Sequence, residues 1–271
     1  MKKPATISVA MATYNEESNI GRCLDSTNSW VNQTIIVDGQ SQDKTVSTAK
    51  KYKNIKIIST PNLKMFHTMK QMAIDSCTSD WILQLDADEV ISLRLKSEIQ
   101  QILKKDPESI PQNGFWIKRR NFFLTRFLKK GGQYPDPTIR LYKNGSGRLP
   151  CQSVHEQAKI KGRVGELKND LLHYADADFS RYLARNNRYT DLMAQKLKQQ
   201  KLKITLLSSI NHLLVKPMVI FFKIYFRHLG FVDGVPGLIF AYYSALCPHT
   251  AFTKYKNSQK HKWLRITYQF W

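Results

Sequence analysis

The sequence predicts an α/β fold with a parallel sheet, followed by a basic helical region. Short apolar, β-branched runs alternate with helical segments between residues 7 and 104, as successive βαβ units do. The last of these runs, Trp81-Ile82-Leu83-Gln84-Leu85, ends directly in Asp86-Ala87-Asp88-Glu89. In an open α/β sheet, ligands bind in the crevice beyond the strand ends. Two carboxylates one residue apart at that edge offer oxygen ligands to a hard divalent cation, Mg²⁺ or Mn²⁺, which usually binds a substrate phosphate at the same time. The third observation is a change of composition. After residue 200 the chain carries ten Lys and Arg against one acid, Asp233.

Each element follows from local pattern. Ile7 to Ala12 reads as a strand and Ser18 to Ser29 as a helix. Thr34 to Val37 and Ile55 to Ile58 are strands flanking a helix over Ser41 to Tyr52. A helix over Phe66 to Cys77 precedes the strand Trp81 to Leu85, and Leu93 to Lys104 is helical. Turn residues Asp38-Gly39 and Pro61-Asn62 follow strands. Beyond Pro107 the basic stretch Gly114 to Arg120 and the alternating stretch Thr138 to Tyr142 read as strands. Asp178 to Gln200 has apolar residues at helical spacing, with Arg181, Arg185 and Arg188 on another face. These divisions place a catalytic domain in residues 1–200 and a C-terminal region in 201–271. In that region Lys216-Pro217, Pro236, Gly237 and Pro248 are expected to interrupt the apolar blocks. No clean membrane span of about 20 residues is therefore expected. Cations mixed with Phe, Tyr, Leu and Ile instead suit the headgroup layer of an anionic leaflet.

Bulk properties narrow the class. The 271 residues carry 42 Lys and Arg against 21 Asp and Glu, a net charge of +21. That charge attracts anions: nucleic acid, phosphorylated substrates or anionic lipid. Cys23, Cys77, Cys151 and Cys247 are widely spaced, with no Cys-x-x-Cys pair. Neither a zinc site nor a disulfide framework is suggested, and a reducing cytosol fits best. The N-terminal apolar stretch is too short and polar for a signal peptide and reads as the first strand.

Four further stretches bear on chemistry. Ala12-Thr13-Tyr14-Asn15-Glu16-Glu17, at a strand end, can hold a base and ribose, or can cap a helix through Asn15 or Ser18. Val37-Asp38-Gly39-Gln40-Ser41-Gln42-Asp43-Lys44-Thr45 suits nucleoside hydrogen bonding, or an ordinary turn with a Ser cap. Val154-His155-Glu156 offers a carboxylate that folding can bring to the metal as a general base, or polar loop residues. Leu171-Leu172-His173-Tyr174 offers a histidine, which is structural more often than metal-binding.

Together these motifs resemble the inverting glycosyltransferases of family two, which have the GT-A fold. The resemblance covers about the first 175 residues. It implies a Rossmann-like nucleotide-diphosphate-sugar transferase core with a mixed sheet, and transfer that needs a divalent cation, Mg²⁺ or Mn²⁺. By position, Thr13, Tyr14, Glu16 and Asp38 would contact the nucleoside of the donor, and Lys70 its phosphates. Asp86 would contact ribose or the metal's hydration shell. Asp88 would bind the metal, His173 would complete the metal site and Glu156 would be the catalytic base. Gly131-Gly132 falls where a glycine loop faces the donor. Arg227 to Gly237 resembles a narrower group that adds a sugar, typically β-linked glucose, to the inner core of bacterial lipopolysaccharide. The partners so implied are a UDP-sugar donor, a lipid-linked or phosphorylated glycan acceptor, which Lys118, Arg119, Arg120 and the Arg helix could bind, and an anionic membrane. The expected location is peripheral, on the cytoplasmic face of the inner membrane. Two alternatives stand beside this reading: a glycosyltransferase of the same fold acting on a polyprenyl phosphate, and a basic nucleic-acid-binding protein. The second has no zinc-finger spacing, RNA-recognition motif or heptad zipper to support it.

Overall fold

The computed structural model describes residues 4–63, 65–151, 156–176 and 178–267, with side chains described up to residue 259. The N-terminal part alternates as the apolar runs dictate: β1 (Ile7–Thr13), α1 (Ile20–Thr27), β2 (Gln33–Asp38), α2 (Thr45–Ala49), β3 (Ile55–Ser59), α3 (Phe66–Asp75), β4 (Trp81–Gln84), β5 (Glu89–Ile91) and α4 (Leu93–Leu103). It continues with β6 (Gln112–Phe123), β7 (Arg126–Phe127), β8 (Asp136–Lys143), β9 (Gly147–Arg148), β10 (Lys159–Ile160), β11 (Arg163–Glu166) and β12 (Leu171–Asp176). One mixed sheet runs in the order β3-β2-β1-β4-β8-β6-β12-β5. β1 pairs in parallel with both β2 and β4, and β2 with β3. β4–β8, β8–β6 and β12–β5 are antiparallel.

Period-two alternation explains why both faces are covered. Ile7, Val9, Met11, Ile36, Trp81 and Leu83 share one core with Leu24 of α1 and Leu95 and Ile99 of α4. Ala10, Ala12, Ile35, Val37 and Ile82 share the opposite core with Met69, Ala73 and Ile74 of α3. Because β1, β2 and β4 are parallel, Thr13, Asp38 and Asp86 come to the same edge, with Thr13 and Asp38 in register.

The chain forms two compact units: Met1–Asn121 with Pro135–Ala175, and Phe122–Tyr134 with Asp176–Trp271. The second holds α5 (Phe179–Gln199), α6 (Leu206–Ile210), α7 (Lys216–Phe222) and α8 (Gly234–Thr267). α5 starts where the sequence predicts, with Asp178 as its N-cap accepting from Ser180 N at 2.8 Å. Phe123, Leu128 and Tyr182 form the small core of this unit, with Phe179, Ile239, Phe240 and Tyr243 against them.

The expected breaks in the tail do not occur. π-helical turns at Asn211–Val215 and Lys223–Arg227 join α6 and α7 into one apolar helix, Leu206–Arg227. Pro217 lacks an N–H, and the wider turn before it changes the hydrogen-bond register there without ending the helix. Pro248 lies inside α8. The helical stretches Leu206–Arg227 and Gly230–Gln259 are each long and apolar enough to cross a bilayer, and only 6% of the apolar window in the first is buried.

Candidate active site

The site is built on the turn after β4. Glu89, fully buried at 0% exposure, folds back so that its Oε2 accepts from Asp86 N at 3.0 Å. This closes the turn and points its two aspartates to different partners. Asp86 pairs with Lys70 Nζ from α3, and its Oδ2 with Arg140 Nη2 from β8 at 2.7 Å. The same Arg140 Nη2 lies 2.7 Å from Glu89 Oε1. Arg119 of β6 reaches Glu89 Oε1 at 3.3 Å and Asp136 Oδ2 at 2.7 Å. Three carboxylates and three cations thus form one partly buried network, centred on the buried Glu89 and Arg140. Burial opposes ionisation of Asp86, but Arg140, Lys70 and Arg119 outweigh it and hold the carboxyl well below the usual range. Burial likewise works against the Arg140 charge, which Asp86 and Glu89 restore and push upward.

Asp88 stands outside this network. Its Oδ2 is 3.5 Å from His173 Nε2, and its carbonyl accepts from Tyr174 N at 2.8 Å. The pairing of β12 with β5 places His173 opposite Glu89, which explains how residues 85 positions apart meet. His173 Nδ1 is bonded to Asn121 Oδ1 at 2.7 Å, and Asn121 Nδ2 donates to Asp136 at 3.1 Å. The imidazole is therefore oriented with Nε2 toward Asp88, as a second partner on the far nitrogen orients metal-binding histidines.

A cavity of about 290 Å³ opens beside the turn, lined by Lys70, Asp86, Arg119, Arg140, Glu156 and their neighbours. Next to Glu156, Gln157 Oε1 accepts from Thr138 Oγ1 at 3.0 Å and Ile139 N at 3.2 Å. Arg140 Nε is buried with no hydrogen-bond partner among the described residues. A buried donor in a cation-lined cavity is chemically matched to an anionic ligand. His155, which precedes the base candidate in the sequence motif, lies outside the described residues.

The two upstream motifs interlock. Asp38 is 3% exposed, and its Oδ1 accepts from Thr13 Oγ1 at 3.0 Å and Ser41 Oγ at 2.6 Å. Ser41 N donates to Asp38 Oδ2 at 2.9 Å. Asn15 N donates to Ser41 Oγ, Glu16 N to Thr45 Oγ1 and Glu17 N to Asp43 Oδ2. Neither of the two expected helix caps forms. Ser41 bonds Asp38, and the helix begins only at Thr45; Asn19 occupies the cap position of α1 without a side-chain bond to the helix backbone. Glu16 Oε2 accepts from Asn19 Nδ2 at 2.8 Å. Tyr14 remains exposed. Gly131 and Gly132 both take positive φ, 65° and 74°, a conformation that suits glycine.

Sequence reasoning missed Arg140, Glu89 and Asp136 as site residues. Arg140 sits in an alternating strand, and no spacing tells a buried arginine there from a solvated one. The basic stretch 118–120, read as an acceptor surface, has carboxylate partners: Lys118 with Glu166 at 3.0 Å, Arg119 with Glu89 and Asp136, and Arg120 with Asp170 at 3.9 Å.

Among the described residues no three His, Cys, Asp or Glu converge on one metal position. The donor set still fits a divalent cation of the kind bound by one carboxylate and completed by substrate phosphates and water. Asp88 and His173 are adjacent, and Lys70 and Arg140 already neutralise Asp86.

The chain is similar to several known proteins. Residues 8–157, from β1 to just past Glu156, match the family "Glycosyl transferase family 2". The chain is 25% identical to the lipopolysaccharide core biosynthesis glycosyltransferase LpsC of Rhizobium meliloti, over 88% of this chain and 90% of that protein. An uncharacterized glycosyltransferase of Rickettsia conorii is 27% identical over 93% and 90% of the two chains. Among solved structures, residues 1–349 of S. aureus TarS in complex with UDP-GlcNAc superpose with a TM-score of 0.47 at 15% identity, covering 92% of this chain and 88% of that one. Parallel strands continued by antiparallel partners, with an acidic turn at the edge, are the GT-A arrangement, and the chain belongs to glycosyl transferase family 2.

Proposed function

We propose that the protein transfers a sugar, glucose by preference, from a UDP-type donor to a hydroxyl of a lipopolysaccharide inner-core or related envelope glycan, with inversion. The observation that carries this reading is the pairing of Asp88 with His173 beside a cavity that holds Glu156, Lys70 and Arg140. The likeness to LpsC supports the acceptor class.

Asp88 and His173 would hold Mg²⁺ or Mn²⁺, which when bound neutralises charge on the departing diphosphate. Lys70 and Arg140 face the same charge, and Asp86 keeps both cations in place. Thr13, Tyr14, Glu16 and Asp38 form the nucleoside wall, with Tyr14 the exposed surface for the base. Glu156 takes the proton of the acceptor hydroxyl as that oxygen attacks the anomeric carbon from the face opposite the diphosphate. One base suffices for this direct displacement. The exposed apolar helix and its lysines support peripheral attachment to the cytoplasmic face of the inner membrane. Residues 1–200 act as the catalytic part and 201–271 as the attachment.

One observation favours a second reading. Two uninterrupted apolar helices suit a polyprenyl-phosphate acceptor as well as a lipopolysaccharide core, and acceptor assays with both lipids separate the two.

A screen of nucleotide sugars by thermal denaturation tests the donor site. The cognate donor should raise Tm only with Mn²⁺ or Mg²⁺ present. Asp88→Ala should abolish that shift and reduce transfer at least ~10²-fold, with the Tm of the free protein retained. Full activity in this variant removes the metal role.

A further inference from the structure

We infer that the two apolar helices form a one-leaflet anchor on an anionic membrane, with their connecting turn kept on the same side of it as the polar face of α5. This rests on the membrane attachment proposed above and decides its topology.

The turn is clasped. Asp233, 1% exposed, accepts from Lys129 N at 3.0 Å and Lys130 N at 2.8 Å. Gly131 N donates to His228 O at 2.8 Å. Gly230 and Gly237 are tight: a Cβ on Gly237 would stand 2.0 Å from Gly230 O. The turn is therefore built to receive the 129–131 loop.

α8 is held at its other end too. Lys254 Nζ donates to Asn187 O, Thr190 Oγ1 and Asp191 Oδ1 at 2.7–2.9 Å, and Tyr255 OH to Leu202 O at 2.7 Å. These tie it along α5, whose Arg185, Arg188 and Asp191 are exposed. Spanning would drag those charges into hydrocarbon. What remains free is the outer helix. Leu206, Ile210, Leu214, Met218, Phe222 and Phe226 recur every fourth residue and are all exposed. Lys223 and Arg227 are exposed beside them, and the tail's single acid, Asp233, is buried. An apolar stripe flanked only by cations is complementary to one leaflet of anionic lipid.

The test uses the full-length protein with C151S and C247S, added to closed vesicles of phosphatidylethanolamine and phosphatidylglycerol (3:1). Arg227→Cys and Lys130→Cys should both react with an impermeant maleimide without detergent. A nitrobenzoxadiazole probe on Leu214→Cys should shift to the blue on binding. Protection of Arg227→Cys until detergent opens the vesicles overturns the inference but leaves membrane attachment standing. Failure to bind these vesicles at all overturns both.

Discussion

Asp86 and Asp88 are separated by one residue, yet they do opposite things. Asp86 is half-buried against two cations and serves as their counter-charge, while Asp88 faces an imidazole. The sequence shows the pair and its place at a strand end, because an apolar run ending in acids is a local pattern. It does not show the division of labour, which depends on Arg140 arriving from β8 and on Glu89 turning inward. Removing one partner from a buried ion network costs more than the network contributes net. Glu89→Gln should therefore lower unfolding free energy by about 3–5 kcal/mol, read from urea denaturation. The acid side follows from Asp86. Its folded carboxyl ionises below the ordinary value of about 3.9, so its stabilisation is complete above that pH. It is lost as pH falls toward the folded value, where the unfolded chain binds the proton first. Arg140→Met should flatten the decline in stability below about pH 4.

At the scale of elements, β1 to α4, apart from the short β5, are legible because periodicity and turn residues agree there. The boundaries differ by a few residues at most, except at Ser41 to Tyr52, where a predicted helix shrinks to Thr45–Ala49. That loss has a definite cause: Ser41 bonds Asp38 and Asn15 N across the loops, a long-range choice that no local signal reveals. The tail was misread for the complementary reason. Prolines are breakers in isolation, but a π-turn absorbs Pro217 once neighbouring helices fix the geometry. Where caps do form, their effect should be ordinary. Ser92 Oγ accepts from Leu95 N at 3.2 Å and donates to Asp170 O at 2.9 Å. Ser92→Ala should cost about 1 kcal/mol, seen as a shift of the denaturation midpoint at constant slope.

For the molecule as a whole, the tail is structural as well as apolar. Deleting residues 204–271 removes Asp233, which satisfies two loop amides, and uncovers Phe123, Leu128 and Tyr182. The truncated chain should aggregate, whereas Phe222→Glu should stay soluble and lose vesicle binding; sedimentation and flotation separate the two outcomes. A different kind of coherence holds the proposed nucleoside wall. Gln42 N and Lys44 N donate back to Asn15 Oδ1 and Glu17 Oε2, so residues 15–17 and 41–45 are stitched in both directions. Their five amide protons should exchange with deuterium in one concerted opening and share a single protection free energy. If the wall opens only in one piece, a nucleotide held there as proposed leaves past some other, looser rim of the cleft.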